Sequence, residues 1–135
     1  MSQTLWRIIF ALVLGAHGIG HLVFLVSILG LGDWGGPSQS WLLANLAGGA
    51  VQRVVGGLIW IVALGGFVAA AVGLLAGQPW WRTLAVASAG VSLLGMALFW
   101  TNPPASSALS ATVFDIAVLV ALILVRWPSE SLVGA

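Results

Sequence analysis

The chain has no cysteine, no tyrosine and no lysine, and charge of either sign is scarce: four arginines and three acidic residues among 135. Without cysteine there are no disulfides, no thiolate nucleophile and no Cys-ligated zinc or iron–sulfur site. Four scattered arginines cannot form the basic patch that nucleic acid requires. Charged residues make up 5% of the chain, against roughly 25% in soluble domains. A folded surface so poor in charge would not stay in water, which excludes an ordinary cytosolic enzyme as well as a disordered tail. What the chain has instead is hydrophobic residues, 61% of the total. Its partner is a lipid bilayer, not nucleic acid.

Four apolar runs, residues 5–31, 51–76, 80–101 and 106–127, reach the length of about 20 residues that a helix needs to cross hydrocarbon. Clusters of helix-breaking residues separate them: Gly32 to Pro37, Gly77-Gln78-Pro79 and Thr101-Asn102-Pro103-Pro104. The expected fold is all-α, an integral membrane bundle of four transmembrane helices forming a single domain over 1–135. Only the first connection has room for more, and residues 38–47 are expected to form a Ser-capped helix lying in the interface. The first run is too long, and Leu14-Gly15-Ala16 too poor a cleavage site, for a signal peptide.

Arginine positions set the orientation. With the N-terminus inside, Arg7, Arg82 and Arg126 are cytoplasmic and only Arg53 is outside, as the positive-inside rule prefers. Both termini are then cytoplasmic. Trp6, Trp80, Trp81 and Trp127 would form one aromatic belt and Trp34, Trp41 and Trp100 the other, leaving Trp60 inside a span. Small residues mark packing faces: Gly65, Ala69, Gly73 and Gly77 on the second span, and Ala85, Ser88, Ser92 and Gly95 on the third.

Ionisable groups inside a span are costly and point to function. Three qualify: His17, His21 and Asp115. The histidines are four apart and share a helix face, each about 3 Å from the centre of its span. Asp115 falls at the same depth on the fourth span, with Thr112 one turn away and Ser92 at mid-depth on the third. These five are the candidate ligand or proton-relay residues. Gly18 and Gly20 thin the helix beside both imidazoles and permit close approach of a helix or a ligand. Gln52, Arg53 and Trp60, on the second span, are the candidates for access or gating.

Such a cluster admits several uses. It can tie helices together by hydrogen bonds. It can relay protons or hold a quinone headgroup, since imidazole titrates near neutrality and a quinone carbonyl needs a donor. His17, His21 and Asp115 also make the two-His-one-carboxylate set of a non-haem metal site. Two histidines on one helix face cannot supply both axial positions of a haem within one chain, which counts against haem.

Arg7, then His17-Gly18, then Leu22, together with the Gly56-Gly57 pair opening the second span, resembles the DoxX-like family. In that family's opening helix an Arg, an apolar run, His-Gly and Lys-Leu follow one another; here His21 stands in place of the Lys. The resemblance implies a small bacterial four-helix membrane protein, related to subunits of thiosulfate:quinone oxidoreductase and to proteins of membrane redox or thiol-stress complexes. Residues and resemblance together favour an accessory subunit near quinone-linked or other membrane redox chemistry, without catalytic activity of its own, acting in a redox complex or as a homodimer. The alternatives are a structural or assembly protein, in which the cluster only joins helices, and a homo-oligomeric small transporter. Against the transporter stands the lack of proline within the spans, since carriers break their helices at the substrate site.

Overall fold

In the computed structural model, residues 2–32 and 35–134 are described. Asp33 and Trp34, the latter assigned above to an aromatic belt, lie outside them. The elements are α1 (Gln3–Gly20), α2 (Leu22–Ile28), α3 (Gly49–Leu75), α4 (Trp81–Phe99), α5 (Ala105–Leu119), a π-helical segment (Val120–Val125) and the short α6 (Glu130–Val133). Four helical stretches are long and apolar enough to cross a membrane: Gln3–Ile28, Gly49–Leu75, Trp81–Phe99 and Ala105–Val125. The first ends before the expected residue 31 because the chain turns at Gly30, whose φ of 71° suits glycine.

Spans one, two, three and four follow one another around an arc. α3 packs broadly on α1 and on α4, and α4 on α5, whereas α1 and α5 scarcely approach. The bundle therefore has a seam between its first and last spans. Two apolar clusters fill it. One gathers Leu14, Phe67, Leu74, Trp81 and Val118 near the end that carries both termini; the other gathers Phe24, Ile28, Trp60, Met96 and Phe99 towards the opposite end. Along every span except the second, the polar candidates fall between the two.

Glycine allows the close approaches, only partly along the expected ridge: a Cβ on Gly73 would lie 2.5 Å from the Trp80 ring. Gly65 has open space around it, whereas a Cβ on Gly66 would lie 2.1 Å from Ser88 Oγ and one on Gly95 2.6 Å from the Trp60 ring. The α4 face is as expected, with Ala85, Ser88, Ser92 and Gly95 all buried. Trp81 is buried in the core rather than anchored in a belt, because the Gly77–Trp80 turn brings it in under α3.

One expectation is corrected in the first connection. Residues 41–46 form hydrogen-bonded turns, not a helix over 38–47. Ser40 does cap, accepting from Leu43 N–H at 3.2 Å, but so short a segment is marginal as an isolated helix. It is held from outside instead: Gln52 Oε1 accepts from Ser40 N–H at 2.7 Å, and Gln52 Nε2 donates to Ala47 O at 2.6 Å. Gln52 is thus a buried brace for the first connection. Trp60 is fully buried against Phe24 and Gly95. Arg53 is exposed and donates to Ser38 Oγ at 3.3 Å. At the other end, Arg7 donates to Val133 O and Gly134 O, and Arg82 to Pro128 O, strapping the C-terminal residues across the bundle.

The Gly95 contact yields a prediction. Gly95→Ala forces the buried Trp60 ring to shift, so it should destabilise the detergent-solubilised protein by about 1–3 kcal/mol. Gly90→Ala, with open space at its Cβ, should leave the unfolding midpoint unchanged or slightly raised. Equal midpoints for the two variants would contradict this packing.

Candidate functional site

His21 interrupts the first span. Its backbone N–H bonds Gly18 O at 3.1 Å, three residues back, and its own Nδ1 donates to His17 O at 3.0 Å. The side chain thereby takes the carbonyl that a regular helix would pair with the amide of His21. A carbonyl only accepts, so Nδ1 carries the proton. In the neutral ring Nε2 is then an acceptor, and Ser92 Oγ–H, 2.8 Å away on α4, donates to it. His21 and Ser92 are both buried, and each histidine nitrogen is satisfied.

His17 is placed differently. Its Nε2–H donates to Asp115 Oδ1 at 2.9 Å, across the seam between α1 and α5. Phe114 stacks on the ring at 4.0 Å between centroids, and Phe67 of α3 meets it edge-on at 4.7 Å. Gly18 makes the second contact feasible, since a Cβ there would lie 2.9 Å from Phe67 Cβ. Asp115 is fully buried while the His17 side chain keeps 11% of its surface exposed. Within this cluster two atoms have no hydrogen-bond partner among the described residues: Asp115 Oδ2, which is buried, and His17 Nδ1.

The exposed surface of His17 opens into a cavity of about 530 Å³ in the seam. Gly20, His21 and Phe24 form one wall and Ser107, Ser110 and Phe114 the other. Gly20 has open space where a Cβ would stand, so of the two glycines beside the histidines, Gly18 admits a helix and Gly20 widens the cavity. The volume falls within the range of small-molecule sites.

The structure therefore brings together four of the five candidates: His17, His21, Asp115 and Ser92. Thr112 stands apart, its hydroxyl donating to Ala108 O at 2.8 Å within its own helix. The aromatic support from Phe67 and Phe114, and the serines of the cavity wall, escaped the sequence reading. Only the adjacency of Phe114 to Asp115 and of Gly18 to His17 signalled them.

No family model, curated protein or solved structure matches the chain.

A metal fits the cluster only after rearrangement. One donor atom from each of His17, His21 and Asp115 lies within 4.8 Å of the others. Yet His17 Nε2 and both nitrogens of His21 are engaged in hydrogen bonds, so an ion bound by all three residues would have to displace at least one bond of His21. As it stands the cluster is a hydrogen-bonded array with one ring nitrogen free. In ¹⁵N-histidine spectra, His21 should be the Nδ1–H tautomer. Ser92→Ala, which leaves Nε2 unpaired, should cost about 1 kcal/mol of stability without changing that tautomer. A proton found on Nε2 of His21 would contradict the assignment.

Proposed function

We propose that this chain is an accessory membrane subunit serving quinone-linked redox chemistry, and that His17 is the group that meets a quinol-type head in the seam cavity. The observation that carries this reading is that His17 lines the cavity with its Nδ1 unpartnered while Asp115 holds Nε2. Asp115 fixes the ring so that a lone pair at Nδ1 is available to a hydroxyl donor, and it stabilises the imidazolium when a proton arrives. In that step the O–H bond breaks, an N–H bond forms at Nδ1, and the electron pair stays on oxygen. Removal of electrons belongs to a partner subunit or another bound group. Resemblance to the DoxX-like family, on Arg7, His17, Gly18 and Leu22, supports the same reading. It also supports a location in a bacterial-type plasma membrane, and the arginine distribution supports cytoplasmic termini.

The structural alternative applies to half of the cluster. His21, saturated by His17 O and Ser92, ties the first span to the third. His17, with a nitrogen to spare, is the functional member. Benzoquinol added anaerobically to the detergent-purified protein should bind, and His17→Ala should weaken that binding by about tenfold, the loss of one good hydrogen bond. Equal affinities for wild type and a folded His17→Ala protein would sink the proposal.

A further inference from the structure

A second cavity continues the first. It occupies about 180 Å³ between α1 and the fourth span, on the side of His17 towards the chain termini. Phe10, Leu14, Trp81, Ala117, Leu122 and Trp127 line it, and almost no polar surface reaches it. Val13 and Phe114 belong to the walls of both cavities, so the two meet at the ring that stacks on His17. Together they run along the seam where α1 and α5 scarcely touch. One chamber carries two histidines and two serines; the next is almost wholly apolar.

We propose that the two chambers take a single amphiphile from the bilayer, its hydroxyl-bearing ring beside His17 and the first part of an alkyl or isoprenoid tail in the chamber walled by Trp81 and Ala117. This rests on the quinol reading above and names the tail site. Size supports it: an apolar cavity of about 150 Å³ holds benzene, so 180 Å³ accommodates a segment of comparable bulk, while the larger chamber accommodates a substituted ring. Polarity supports it too. A head without a tail would leave the apolar chamber to lipid, and a tail without a head would leave His17 Nδ1 unpaired. The lateral position of the seam lets such a ligand enter from the hydrocarbon without passing through water.

The test compares benzoquinol with decyl-benzoquinol on wild type, His17→Ala and Ala117→Phe in one detergent, so that partitioning of the tail into micelles cancels between proteins. Ala117 lies on the open side of the fourth span, where a larger side chain fills the chamber without entering the core. Ala117→Phe should weaken decyl-benzoquinol about tenfold and change benzoquinol by less than about twofold, while His17→Ala weakens both. If Ala117→Phe leaves the tailed probe at wild-type affinity, the chamber holds bulk lipid only and the tail site is overturned, whatever His17→Ala does. If His17→Ala is without effect while Ala117→Phe still weakens the tailed probe, the chamber stands and the headgroup reading falls. Failure of either probe to bind wild type overturns both.

Discussion

A carboxyl group in hydrocarbon has no water to turn to, so every donor it uses must come from the protein. Asp115 meets this demand at Oδ1 by reaching across the seam to His17, while Oδ2 has no partner among the described residues. That bond joins two spans whose backbones otherwise stay apart, and the other features follow from it. His17 is held at the edge of the bundle rather than drawn into its core, Phe114 is brought over the imidazole face, and space is left on either side. Without this link the first and fourth spans would have little reason to keep a common register.

The two histidines show how one helix face can carry two tasks. His21 turns inward, takes over a carbonyl of its own helix and receives a hydroxyl from α4; it is spent on architecture. His17, one turn earlier, gives one nitrogen to Asp115 and keeps the other. The difference arises from which neighbour each ring meets. α4 offers Ser92 to His21, whereas the gap beside α5 offers His17 a cavity.

Depth in the membrane was legible in the sequence, and rotation about the helix axes was not. Span lengths place His17, His21, Asp115 and Ser92 at one level, because each residue advances a helix by a fixed rise. Spans that are apolar on all sides, however, give little sign of which face turns inward. So Gly65 was read as packing where Gly66 does the packing, and Thr112 as part of a cluster from which it turns away. The first connection was hard for a different reason. Its shape is imposed by the Gln52 side chain from the following helix, a contact that no pattern within residues 38–47 encodes.

Arg7 and Arg82 count as topology markers by their position, yet both donate to carbonyls of residues 128–134. Arg7 and Val133 are 126 positions apart, so this clasp joins nearly opposite ends of the chain. It can close only after the fourth span has been inserted and its exit turned back. Assembly at that face therefore ends with a latch, closed by arginines of the first and third spans.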